Sequence, residues 1–149
     1  MKWDMIQRVI DGGKHDWVWW IDFDTLFTNT TTRVEDIIHD SLSNVTAPEE
    51  IDVLLTDDWC VLSSSSDRDE SMRDYLKLEG PLTKHAMRIS QYKINAFPEE
   101  ILCNDNLSKS WQKAMFVIHF AGAWAHVKEK DPTGFLMRKY EREIIWDTK

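Results

Sequence analysis

Three short apolar runs constrain what this chain can fold into more than any other feature. They are VWWI at residues 18–21, the run within IDVLLTDDWC at residues 51–60, and MFVIHF at residues 115–120. Runs this short are typical of strands rather than helices, and runs without strict alternation are typical of strands covered on both faces of a parallel sheet. We therefore predict three buried strands, two of which end in acidic residues.

Apolar residues with helical spacing separate these runs. Thr32 and Glu35 form a possible capping box for the second helix, Gly12 and Gly13 suit the end of the first, and Asp131 begins the last. Alternation of helices with short strands indicates an α/β fold with a mostly parallel sheet flanked by helices. The predicted helices lie within residues 3–10, 34–42, 70–80 and 132–144, and residues 91–97 are predicted as a further strand.

The composition fits one soluble globular domain over residues 1–149. Of its 149 residues, 42% are hydrophobic and 30% are charged, which excludes a disordered chain. The net charge of −8 argues against a general nucleic-acid binder but not against an anionic substrate, because a bound cation can reverse the local charge. No segment has the length and composition of a membrane helix or a signal peptide.

Several smaller features leave alternatives open. Cys60 and Cys103 match no zinc pattern and could pair or remain thiols. Asn-x-Ser/Thr triplets begin at Asn29, Asn44 and Asn106, and they only weakly favour a secretory compartment. Residues 62–68 contain four consecutive serines and resemble a low-complexity connector.

The triplet Asp22-Phe23-Asp24 follows the first apolar run and is the main candidate site. Residues two apart in a strand point the same way, so both carboxylates could face one ligand. Two carboxylates beside such an apolar run would repel each other and cost stability unless a cation lay between them. Oxygen ligands suit a hard divalent ion, so the triplet predicts a metal site. The alternative is a strand-end turn without a ligand.

Other polar residues near the predicted strand ends have simpler explanations on spacing alone. Asp57 and Asp58 fit a solvated turn or a helix cap. His119 fits a hydrogen-bonded core histidine, although the adjacent AGAWAH turn contains small residues that permit close approach of a backbone or a phosphate. Lys128 fits an exposed loop lysine.

Four blocks together resemble glycosyltransferase family 34, which comprises fungal Golgi α-galactosyltransferases and α-mannosyltransferases and, more distantly, plant xyloglucan xylosyltransferases. The blocks are HDWVWWIDFDTLFTN, LLTDDWC, QYKINAFPEE and MFVIHFAGAWAH, and they occur in the family's order. The resemblance implies an incomplete GT-A type fold and a retaining, Mn²⁺-dependent hexosyltransferase. The implied donor is a UDP- or GDP-sugar, the implied acceptor is a glycan or glycoprotein, and the implied location is the Golgi membrane.

The resemblance also assigns roles to individual residues. Asp22 and Asp24 match the motif that bridges ribose, metal and diphosphate, and His119 matches a downstream metal ligand. Asp69 and Glu70 match a pair beside the transferred sugar, with Glu70 replacing a glutamine. Lys128 would substitute for a lysine that plant relatives carry nearer the histidine-containing turn, and it would contact the donor diphosphate.

Two other interpretations remain. Family members carry earlier βα units and a further segment after DDWC, where this chain has VLSSSSDRDE, so the chain could be a truncated and inactive remnant. A haloacid-dehalogenase-like phosphatase would explain WIDFDTLF and LLTDDW. That motif requires a threonine where this chain has Leu26.

Overall fold

The structure, a computed structural model, describes residues 2–56, 85–101 and 109–148. Those residues form helices and short strands, together with two 3-10 turns at Pro48–Glu50 and Glu99–Ile101. The elements in chain order are α1 (Lys2–Asp11), β1 (Thr25–Phe27), α2 (Val34–Leu42), β2 (Val53–Thr56), β3 (Ala86–Ile89), α3 (Gln91–Ile94), β4 (Val117–His119), α4 (Ala123–His126) and α5 (Pro132–Glu141).

The four described strands form two pairs. Strand β1 lies antiparallel to β4, with Thr25 opposite His119. Strand β2 lies parallel to β3, with Val53 opposite Ala86. The part of the chain that the structure describes is therefore mixed α/β, with one parallel and one antiparallel pair. The incomplete GT-A type fold remains a prediction.

Three of the predicted helices and two of the predicted strands are confirmed in position, but only β4 is buried as predicted, since every residue of β2 is partly exposed. Helices α1, α2 and α5 and strands β2 and β4 lie where the sequence pattern places them. The predicted helix at residues 70–80 and the connector at residues 62–68 lie outside the described residues. Of the described helices, none combines the length and the apolar character needed to cross a bilayer.

Three local predictions are wrong. Residues 18–21 form no strand and are only partly buried, and the strand instead begins at Thr25, after the acidic triplet. Residues 91–97 form the short helix α3 and an irregular segment rather than a strand. The residue before α2 is Arg33, and no side chain caps that helix, so Thr32 and Glu35 make no capping box.

The buried core joins β4 to the two helices that follow it. Phe120 and Ala123 come directly after the strand, and Leu136 and Tyr140 face them from α5. Asp131 begins α5 as predicted, since its carboxylate accepts a hydrogen bond from the Gly134 backbone N–H at 3.0 Å. This packing fixes the end of β4 and the turn beyond it, which together form one wall of the site described next.

Candidate functional site

A cleft of about 880 Å³ lies beside the β1–β4 pair. Its walls come from segments that are far apart in sequence, and its lining contains both predicted carboxylates and the predicted histidine. Tryptophan and aliphatic side chains make up much of the remaining wall. The lining segments are residues 18–25, residues 53–56, residues 94–95 and residues 119–122, with Ile6, Ala86, Trp124 and Thr133.

Asp24 and His119 are in direct contact across the two strands. His119 Nε2 lies 3.1 Å from Asp24 Oδ1, and both side chains are largely buried, with 11% and 23% of their surface exposed. The antiparallel pairing brings the two backbones close, because Thr25 pairs with His119 and the Asp24 carbonyl accepts a hydrogen bond from the Phe120 N–H at 2.9 Å. Asp24 lies just before β1, so its side chain is not bound by the alternation of the strand. The fold therefore brings together two residues that the sequence separates by 95 positions.

His119 is held from its other side by three consecutive residues. Its Nδ1 lies 2.7 Å from Asn95 Oδ1, and its backbone N–H donates to the Ala96 carbonyl at 2.7 Å. Its ring stacks on Phe97, with centroids 5.4 Å apart and planes inclined by 26°. Ala96 and Phe97 are buried, so His119 is supported from the interior of the fold.

Asp22 lies at the exposed side of the same cleft. Its Oδ1 accepts a hydrogen bond from Trp20 Nε1 at 3.0 Å. Among the described residues, no three His, Cys, Asp or Glu side chains are arranged so that they could hold a metal ion. The structure thus pairs Asp24 with His119 and places Asp22 on the same cleft wall without bringing its carboxylate into that pair.

Trp19 anchors the segment that carries the acidic triplet. Its ring stacks on Phe116 at a centroid distance of 5.6 Å and meets the edge of Phe27 at 5.7 Å. Phe27 and Phe116 also contact each other, at 5.4 Å. Aromatic clusters of this kind stabilise the folded state through the burial of apolar surface and through edge-to-face contacts between rings. One tryptophan of the run is therefore used for packing, whereas Trp17 and Trp20 stay partly exposed.

The turn after β4 closes the cleft on the side of α4. Gly122 has a φ of 77°, a left-handed conformation that residues with a side chain rarely adopt, and it precedes the first residue of α4. Ala123 is fully buried behind it, while Trp124 is 80% exposed at the cleft. The small residues of this turn thus allow close approach to the backbone from the cleft, as the sequence predicts.

Of the other predicted site residues, only Lys128 lies within the described residues. Lys128 is exposed two residues beyond α4 and does not line the cleft. Asp57, Asp58, Asp69 and Glu70 lie outside the described residues, as do both cysteines. Sequence reasoning missed Asn95, because residues 91–97 were predicted as a strand and no motif singles out an asparagine in it.

Comparison of the chain with protein-family models, with curated proteins and with solved structures finds no match.

Proposed function

We propose that this protein transfers a hexosyl group, galactose or mannose, from a nucleotide-diphospho-sugar to a glycan acceptor, with retention of configuration and with Mn²⁺ as its cofactor. The observation that carries the proposal is the contact between Asp24 and His119 in a large cleft. These are two of the three residues to which the resemblance assigns metal ligation. The same resemblance extends the proposal to a protein of the Golgi membrane.

The donor atoms of this pair fit a divalent cation. A carboxylate oxygen and an imidazole nitrogen are both ligands of first-row divalent metals. An octahedral ion with bonds of about 2.1 Å has neighbouring ligand atoms about 3.0 Å apart. The separation of 3.1 Å between Asp24 Oδ1 and His119 Nε2 agrees with two such neighbouring positions. Asp22, two residues away on the same cleft wall, would be the third ligand.

The cation would supply charge stabilisation for the diphosphate as it leaves the sugar. The chain's own residues would bind and orient the donor. Residues 120–122 line the cleft, and their turn permits close approach of phosphate oxygens. The resemblance also assigns Lys128 to the diphosphate, although this lysine does not line the cleft. Asp69 and Glu70 would lie beside the transferred sugar and the acceptor hydroxyl, as the resemblance assigns.

The second candidate function is the inactive protein, which would have the same fold but would transfer no sugar, and a specific observation favours it. The Asp24–His119 contact can equally be a structural ion pair, and Asp22 Oδ1 is engaged by Trp20 rather than by that pair. The phosphatase interpretation has less support. Its nucleophile follows a buried strand, whereas residues 18–21 form no strand.

Cation binding separates these candidates. We expect Mn²⁺ at 100 times its Kd to stabilise the wild-type protein by about 2.7 kcal/mol, and we expect UDP- or GDP-sugars to bind only in its presence. Asp24→Ala should abolish the Mn²⁺-dependent rise in melting temperature. Because the chain is acidic, Asp36→Ala serves as the matched control: it removes an exposed carboxylate on α2 and should keep the full rise. All samples are compared at equal ionic strength.

Two results would contradict the proposal. One is a melting temperature that does not respond to Mn²⁺, which would leave the inactive protein as the better description. The other is an equal response in wild type and Asp24→Ala, which would mean that the cation binds elsewhere on the negative surface.

A further inference from the structure

The surroundings of His119 give each ring nitrogen its own partner, Asn95 for Nδ1 and Asp24 for Nε2. An amide oxygen can only accept a hydrogen bond, so the 2.7 Å contact with Asn95 Oδ1 requires the proton on Nδ1. Nε2 is then the ring nitrogen left to face Asp24 Oδ1, 3.1 Å away. A cation that binds there would be held by this nitrogen and by the carboxylate oxygen, while the Nδ1–H group keeps its hydrogen bond to Asn95.

The ring also has little freedom to turn away. Its backbone is tied to the Ala96 carbonyl, and one ring face lies on the buried Phe97. Rotation about the side-chain bonds would break both the stacking and the hydrogen bond to Asn95. The segment 95–97 therefore sets the orientation of the imidazole and supplies the acceptor for its Nδ1–H group.

We infer that Asn95 is a positioning residue for cation binding, acting through His119 rather than on the cation. This inference rests on the proposed function, because it concerns the same cation. Metal-binding histidines almost always donate their second ring N–H to an oxygen acceptor, and removal of that acceptor typically lowers metal affinity 10- to 100-fold. The Asn95 amide oxygen occupies that place relative to His119.

The inference predicts a graded series of Mn²⁺ affinities in the full chain. Asn95→Ala removes the acceptor and should raise the Mn²⁺ Kd about 10- to 100-fold. Asn95→Asp keeps an oxygen acceptor and should bind Mn²⁺ at least as tightly as the wild type. Asn44→Ala, at an exposed asparagine beyond α2, is the matched control and should leave the Kd unchanged. The Kd is measured from the electron paramagnetic resonance signal of free Mn²⁺.

A spectroscopic measurement separates positioning from a general loss of structure. The ¹⁵N shifts of the His119 ring should show a hydrogen-bonded Nδ1–H group in the wild type, and this signature should be lost in Asn95→Ala. If Asn95→Ala binds Mn²⁺ as the wild type does, or if Asn95→Asp binds it tenfold more weakly, the inference is wrong while the proposed function stands. If the wild type itself does not bind Mn²⁺, both are wrong.

Discussion

At the scale of single residues, Asn29 begins an Asn-x-Thr triplet of the kind that accepts N-glycosylation, but its side chain makes hydrogen bonds within the fold. Its Nδ2 donates to the Ala114 carbonyl at 2.9 Å, and its Oδ1 accepts from the backbone and hydroxyl of Thr31 at 3.1 and 2.7 Å. The side chain is almost fully buried. Its pairing with Thr31 gives this triplet a structural role, whereas Asn44 of the second triplet is exposed.

The turn that Asn29 supports contains a strained residue. Ala114 has a φ of 77°, and a left-handed conformation costs a residue with a Cβ about 1–2 kcal/mol. Ala114→Gly should relieve that strain. Part of the gain is lost because glycine makes the unfolded chain more flexible, so we expect a net increase of about 0.5–1 kcal/mol in the free energy of unfolding, measured by urea denaturation.

The control for this substitution is Ala125→Gly. Ala125 is also exposed, but it lies within α4, where glycine should lower stability by about 0.5–1 kcal/mol. Equal losses at both positions would show that the left-handed turn at Ala114 costs the folded protein nothing.

At the scale of elements, a polar cluster joins the 3-10 turn Glu99–Ile101 to α5. The Glu100 carboxylate accepts hydrogen bonds from Lys139 and from the Tyr140 hydroxyl, the latter at 2.8 Å. Burial by itself would raise the pKa of Glu100, but the hydrogen bonds from Lys139 and Tyr140 and the charge of Lys139 outweigh it and lower that pKa. Burial and the hydrogen bond to Glu100 raise the pKa of Tyr140.

The lowered pKa makes this cluster sensitive to acid. A carboxyl whose pKa is lower in the folded state stabilises the protein above its unfolded value of about 4.3, and this stabilisation is lost as the pH falls through the folded value. Glu100→Gln should therefore cost about 1 kcal/mol at pH 7, since the cluster is partly solvated. The difference from wild type should shrink as the pH falls below about 4, as followed by urea denaturation.

Glu49→Gln provides the matched comparison, because Glu49 is an exposed glutamate of the other described 3-10 turn. It should change stability little at either pH. A constant difference between wild type and Glu100→Gln from pH 7 to pH 3 would mean that the charge of Glu100 contributes nothing.

The two apolar runs at residues 18–21 and 115–120 show what sequence patterns can predict at this scale. The second run contains β4, whose residues are buried on both sides, so its continuous apolar character agrees with its place in the fold. The first run looks alike in sequence, but it forms no strand, and the Trp19 ring packs it against Phe27 and Phe116. Apolar content alone cannot show whether a run has a partner strand.

At the scale of the whole molecule, the candidate site depends on contacts between distant segments. Spacing in the sequence could identify the acidic triplet, but it gave His119 no role beyond the core, and only the family resemblance linked the two. The β1–β4 pairing is what brings the backbones of Asp24 and His119 together. The contribution of Asn95 could not be predicted, because it depends on how the segment after α3 packs on β4. Local patterns carry no information about such pairings.

The described strands differ in how deeply they are buried, and this difference predicts that they open to solvent with unequal free energies. All three residues of β4 are buried, whereas every residue of β2 remains partly exposed. Because buried elements open only with the whole fold, the amides of His119 and Phe120 should exchange with solvent most slowly, and those of Val53 and its neighbours several orders of magnitude faster.

Leu136→Ala, in the core, should weaken protection in β4 by about 2–5 kcal/mol. Leu54→Ala should act mainly within the β2–β3 pair. Equal protection of β2 and β4 by hydrogen exchange would instead mean that both pairs open in one cooperative step.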